Sequence, residues 1–154
     1  MRINELKTTK MGTEAEEIGV EFILNKGYMP YSPSITASHP IDFFAISGTS
    51  SFFLDVKCKP KFKYIPRTGF DKKDFEKYTE LDKPSYILFV DSESREVYGA
   101  WLSRLAQETP KIHKGNEGKE DVITFPLSAC THYRYLTDEE IEKLKQNSTS
   151  NYWK

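Results

Sequence analysis

Two runs of alternating, β-prone residues, IDFFAI at 41–46 and SFFLDVKC at 51–58, stand on either side of SGTS. Side chains alternate faces along a strand and the Gly-centred link has turn chemistry, so the pattern predicts a β-hairpin. A turn centred on Gly48 and Thr49 pairs residues whose numbers add to 97, which sets Asp42 opposite Asp55. Opposed residues of an antiparallel pair hold their Cβ atoms about 4.5 to 5.5 Å apart, and like charges there are destabilising. Two solvated acids on an exposed strand face would be the ordinary outcome, since Asp is mostly exposed. Here Phe43, Phe44, Ile46, Phe52, Phe53 and Leu54 make both faces of the hairpin apolar. Ionised carboxylates in such surroundings must be paired, bind a metal, or take up a proton. A hard cation such as Mg²⁺ binds through one or two carboxylates and completes its shell with water and phosphate oxygens. Lys57 lies on the face of Asp55, about 6.6 Å further along the strand, and adds a second positive group.

The rest of the chain supplies a sheet and its covering helices. Its 154 residues are enough for one domain spanning 1–154, and 38% apolar with 29% charged residues describes a folded, soluble class. TEAEEIGVEFILNKGY reads as a first helix, with a Thr13 cap, early acids, an apolar stripe and a stop at Gly27. YMPYSPSITASHP is an irregular link. FDKKDFEKYTELDK reads as a second helix with Asp71 as its cap and Phe75, Tyr78 and Leu81 on one face. SYILFV and VYGAWL are strands around the polar turn DSESRE. AQETPKIHKGNEGKED is expected to be a loop, VITFPL an edge strand because of Pro126, and LTDEEIEKLKQ a helix opened by a capping box of Thr137 and Glu140. The order predicts a mixed α/β sheet flanked by helices.

Several classes fall away. No apolar run approaches the roughly 18 residues of a membrane span, and MRINELKTTKMG lacks the apolar core of a signal peptide, so a cytoplasmic protein is expected. Cys58 and Cys130 fit free thiols, and His39, His113 and His132 lack metal-ligand spacing. There is no nucleophile elbow, Walker loop or dinucleotide fingerprint.

A helical Glu, then PID at 40–42, a hairpin, and LDVK at 54–57 resemble the motifs of the PD-(D/E)xK nuclease superfamily. Pro40 and Asp42 stand in the PD position with one inserted residue, and Asp55, Val56 and Lys57 form the triplet. The element order resembles that superfamily's restriction-endonuclease-like αβββαβ core over about 13–102, followed by a C-terminal strand and helix. GTEAEEIGVEFILNKGY is similar to the first helix of small Holliday-junction-resolvase-like or phage-type members, where a Glu precedes a Gly-aromatic pair by about eleven residues; here that is Glu16. The resemblance implies a metal-dependent deoxyribonuclease, an endonuclease more than an exonuclease, acting in DNA recombination, repair or phage DNA processing. It implies that Asp42, Asp55 and the backbone carbonyl of Val56 hold Mg²⁺, with Mn²⁺ able to substitute, that Glu16 completes the shell, and that Lys57 orients water or stabilises charge on the phosphoryl oxygens. Glu14 and Glu17 are rivals to Glu16, and an ordinary helix-dipole acid is the other reading of that position.

Local charge agrees with a DNA partner. Between Lys57 and Lys77, eight Lys and Arg stand against three acids, in a chain of net charge −1. Lys59, Lys61, Lys63, Arg67, Lys72 and Lys73, with Tyr64 interleaved, suit a phosphate backbone and base stacking. A lysine-guarded edge strand is the alternative. A homodimer would place two symmetric sites for cutting two strands. The competing functions are a non-catalytic nucleic-acid-binding protein on the same fold and an interaction module with solvent-facing acids.

Overall fold

The structure, a computed structural model, describes residues 13–33 and 41–147. His39, Pro40 and the C-terminal Tyr and Trp lie outside the described residues, as does the Thr13 side chain.

In chain order the elements are α1 (Thr13–Asn25), β1 (Met29–Tyr31), β2 (Phe43–Ser47), β3 (Ser50–Lys57), β4 (Arg67–Asp71), α2 (Lys72–Thr79), β5 (Ser85–Asp91), β6 (Glu96–Trp101), α3 (Leu102–Gln107), β7 (Lys111–His113), β8 (Val122–Pro126), β9 (Thr131–Tyr135) and α4 (Asp138–Asn147). Six strands form a mixed sheet in the order β1-β2-β3-β5-β6-β9, and three form a second sheet in the order β4-β8-β7. The expected hairpin is β2 and β3, antiparallel, with Phe43 opposite Leu54 and Ser47 opposite Ser50. This is the register in which partners add to 97. β3 then pairs in parallel with β5, which requires a long crossover, and β4 with α2 supplies it.

Alternation along the strands sorts the core into two layers. On one face of the large sheet, Phe43, Ala45, Phe52, Leu54, Leu88 and Val90 pack with Ile18, Phe22 and Ile23 of α1 and Ile141 and Leu144 of α4. On the other, Ile87, Phe89, Tyr98 and Ala100 pack with Tyr78 of α2, Leu105 of α3 and Phe70, Ile123 and Phe125 of the small sheet. β5 is buried at every residue, as its continuous apolar run requires. α1 ends at Gly27, whose φ of +83° only glycine adopts without strain. α4 opens with the expected capping box: the Glu140 amide donates to Thr137 Oγ1 and the Thr137 amide to Glu140 Oε1. Arg134 on β9 ties α1 to α4, donating to both Glu21 and Glu140.

Five features depart from the expectations. Residues 67–71 of the basic, Pro-interrupted segment form β4. VITFP is the central strand of the small sheet, because Pro126 falls on its last residue, where a missing N–H interrupts no further pairing. The expected 106–121 loop contains the end of α3 and the three-residue β7. THYRY forms β9 although its strand signal is masked by polar residues. Asp71 takes the extended backbone of a cap, but its carboxylate makes no cap hydrogen bond and faces Lys59 instead, 3.5 Å away.

α1 approaches β3 closely at Gly19, where an added Cβ would lie 2.8 Å from Val56 Cγ2. Gly19→Ala is expected to cost about 1 to 3 kcal/mol of overpacking, measured by denaturant unfolding. Val56→Ala in the same chain should recover part of that loss; additive losses would show that this contact does not set the helix position.

Candidate active site

The hairpin register brings Asp42 and Asp55 onto one wall of a cleft of about 590 Å³, with Val56, Lys57, Lys59, Asp74 and Glu120 among its other lining residues. Asp42 stands one residue before β2, anchored by its own amide to the Leu54 carbonyl at 3.2 Å. Its Oδ2 accepts the Val56 amide at 2.7 Å, so the carboxylate is latched across the hairpin onto β3. Asp55 is buried, and its Oδ2 accepts from Tyr78 Oη at 2.6 Å and faces Lys57 Nζ at 3.0 Å. Lys57 Nζ also donates to Asp74 Oδ2 at 2.6 Å. β3 thus supplies one acid and one lysine at alternate positions, and α2 supplies an acid and a tyrosine one helical turn apart.

Burial, followed by the nearby Asp42 charge, raises the Asp55 pKa from 3.8 to about 7 against the opposing pull of Lys57 and Tyr78. Burial works against the Lys57 ammonium, but Asp55 and Asp74 outweigh it and raise its pKa, which keeps the lysine charged. The Tyr78 hydroxyl is pushed up by burial and by Asp55, so it stays a hydrogen-bond donor. Cys58, on the cleft wall, is pushed up to about 11 by burial and Asp91, which leaves it a thiol rather than a nucleophile.

The sequence-chosen residues divide among several places. Asp42, Asp55, Val56 and Lys57 come together as expected. Glu16 is half-buried on α1 and does not line the cleft. α1 runs antiparallel to β3, since Gly19 meets Val56 and Tyr28, past the C-terminal end of α1, bonds Ser50; Glu16 therefore lies toward the cleft end of that strand. Glu14 is buried beside α4, its pKa raised by burial against the pull of Lys143, and Glu17 is exposed. Lys59 is on the cleft wall. Lys61 is paired with Glu96, Lys73 with Glu120, and Lys63 and Tyr64 are exposed. Lys72 is half-buried at the start of α2. Arg67 braces the small sheet, donating to Thr124 Oγ1 and to the Thr124 and Thr109 carbonyls. Asp74 and Tyr78 are residues at the site that sequence reasoning did not assign to it, Tyr78 being read only as part of one face of the second helix. Their i, i+4 spacing on the helix that follows β4 was the available signal.

The donor set suits a hard cation: two carboxylates and a strand carbonyl, all oxygen. Both aspartates are oriented through Oδ2, Asp42 by the Val56 amide and Asp55 by Tyr78 and Lys57. Among the described residues, no three His, Cys, Asp or Glu side chains converge on one ion position. The set is thus a two-carboxylate one, and a cation held there would need other oxygens to complete its shell.

No family model matches the sequence. No curated protein matches it either. The fold does have solved counterparts. The structure matches the Holliday junction resolvase Hjc of the archaeal hyperthermophile Archaeoglobus fulgidus with a TM-score of 0.50 and 11% identity, over 77% of this chain and 85% of that one. The chain has a resolvase-type nuclease fold. D212, a nuclease from a fusselovirus, aligns at a TM-score of 0.45 and 14% identity over 86% of this chain and 87% of that one. The mixed α/β sheet flanked by helices that the sequence predicted is therefore the architecture found, with Asp42 one residue before β2 and Asp55, Val56 and Lys57 on β3.

An acid that ionises less readily in the folded protein than in the unfolded chain lowers stability as pH rises between the two pKa values. Without divalent cations, the unfolding free energy of wild type relative to Asp55→Asn should fall between pH 3.8 and about 7. The slope from this one group is at most about 1.4 kcal/mol per pH unit. A pH-independent difference would show that the Asp55 environment is not as described. Tyr78→Phe removes one donor from a buried carboxylate and should cost about 1 to 3 kcal/mol, with a further rise in the Asp55 pKa visible as an upward shift of the same pH window.

Proposed function

We propose that this chain is a Mg²⁺-dependent DNA nuclease that hydrolyses phosphodiester bonds, an endonuclease directed by DNA structure in recombination, repair or phage DNA processing. The observation that carries this reading is the convergence of Asp42, Asp55 and a charged Lys57 on one cleft wall of a resolvase-type fold. That the fold is shared with a Holliday junction resolvase supports the choice of DNA as substrate.

Asp42, Asp55 and the Val56 carbonyl would hold the cation, with Glu16 reaching it from α1 directly or through water. Bound Mg²⁺, or Mn²⁺ in its place, supplies Lewis acidity and lowers the pKa of a coordinated water. The chain's own groups do the rest. Lys57 places a full positive charge beside the aspartates, where negative charge grows on the phosphoryl oxygens. Asp74 fixes the direction of that ammonium, and Tyr78 orients the Asp55 carboxylate through Oδ2. The Val56 amide does the same for Asp42. A homodimer would let two such sites act on opposite strands.

Purified protein incubated with duplex, single-stranded and branched DNA and with RNA, in Mg²⁺ or Mn²⁺, should cleave DNA. Asp55→Ala and Lys57→Ala should each lose at least about 100-fold. Calorimetry should show Mg²⁺ or Mn²⁺ binding that Asp55→Asn abolishes. Equal cleavage by the variants removes the catalytic assignment. DNA binding without cleavage or metal uptake would identify the non-catalytic protein on the same fold.

A further inference from the structure

The cleft does not end at the aspartates. Lys59 and Val122, on its wall, also line a second concavity of about 380 Å³ under the 59–63 segment. Lys61, Phe62, Lys63 and Glu93 pass from that one into a third, of about 740 Å³, bounded by the 91–95 turn and by Ile141 and Lys145 of α4. Through these shared residues the three concavities adjoin one another in series, from the paired carboxylates past the β3–β4 connection to the last turn of α4.

Charge reverses along this series. The cleft end carries Asp42, Asp55, Asp71, Asp74 and Glu120 against three lysines, which favours a cation. The far end carries Lys61, Lys63, Arg95 and Lys145 against Asp91 and Glu93. Asp91 is fully buried beneath the surface, its carboxylate accepting the backbone amides of Lys61, Glu93 and Ser94. That leaves the exposed far end positive. Lys61 and Arg95 are held in ion pairs with Glu96 and Asp138, whereas among the described residues no carboxylate pairs with Lys63 or Lys145. The wall also offers aromatic surface in Phe62, half-buried and edge-on to His113, while Tyr64, two residues further along the same segment, does not line the concavities and is 95% exposed to solvent.

The geometry points to this groove as the path of a single unpaired nucleic-acid strand leading away from the scissile position, an assignment that rests on the nuclease reading of the cleft. Phosphates along the strand meet Lys63 and Lys145, and its bases stack on Phe62 and Tyr64. An unpaired strand fits better than a duplex because only its bases present free faces to aromatic side chains. The Asp91 latch holds the Lys61 backbone in place, so the groove wall is set before the strand arrives. Arg95, Lys145 and the α4 end thereby join a substrate surface that the local charge count along 57–77 did not reach.

The test compares blunt duplex DNA with the same duplex carrying a single-stranded tail, each fluorescently labelled, using the full chain without divalent cation so that nothing is cut. Fluorescence anisotropy should show tighter binding of the tailed DNA. Lys63→Glu with Lys145→Glu should remove that preference, weakening tailed DNA at least 10-fold while blunt duplex changes far less. The salt dependence of tail binding should lose a slope of about 1.4, two single-strand phosphate contacts at about 0.7 each. Phe62→Ala with Tyr64→Ala should weaken tail binding without changing that slope, and circular dichroism checks that each variant is folded. Equal weakening of blunt and tailed DNA, or none, overturns the single-strand path. Cleavage in Mg²⁺ separates the two readings. A wild type that cuts but whose tail preference ignores Lys63 and Lys145 loses the groove alone. A wild type that never cuts yet keeps that preference loses the nuclease reading alone.

Discussion

Everything at the cleft depends on the register of β2 against β3. Because strand side chains alternate faces, a slip of one residue would send Asp55 and Lys57 into the layer occupied by α1 and bring Leu54 and Val56 to the cleft. The apolar residues prevent that slip. Phe43, Ala45, Phe52 and Leu54 are all buried on the α1 side, and a one-residue shift would expose the whole set. The hydrophobic pattern that folds the hairpin is therefore also what opposes two carboxylates, and the cost of holding them together is underwritten by residues buried away from the cleft.

The second constraint is electrostatic. A carboxylate as buried as Asp55, beside another acid, is unstable as an anion unless something positive is near. Lys57 meets part of that demand from the same strand, and α2 contributes from across the cleft: Tyr78 donates to Asp55 while Asp74 balances the lysine. The result is a chain of alternating charges in which each member is oriented by the next, an arrangement that resists collapse and leaves one face of the acids open. The crossover that makes β3 and β5 parallel is what carries α2 to this position.

How far the sequence was legible follows from the range of each signal. The hairpin, its turn, its register and both helix ends at Gly27 and Thr137 rest on local chemistry, alternation, glycine conformation and capping, and the structure agrees at each. Of the small sheet only β8 was legible: the partners of β4 lie more than fifty residues away, as in Arg67 opposite Pro126, and β7 is three residues long. β9 is similar: a five-residue strand whose alternation is blurred by His132 and Arg134. At the site, Asp42, Asp55 and Lys57 could be chosen because they sit on one hairpin. Asp74 and Tyr78 could not, since only the fold brings α2 over β3. The lysine-rich segment was visible as a charge excess, but composition alone did not separate cations in ion pairs, such as Lys61 and Lys73, or the bracing Arg67, from those facing solvent.

Asp91 has a consequence for how such a molecule could diversify. It grips the 59–63 connection through a main-chain amide and closes its own turn through two more, so its hold is indifferent to the identity of the neighbouring side chains. Lys61, Phe62 and Lys63 can be exchanged while the loop stays moored. The chemistry of this surface is thus decoupled from foldedness over the span, and selection can remodel it residue by residue with the β2–β3 hairpin left untouched.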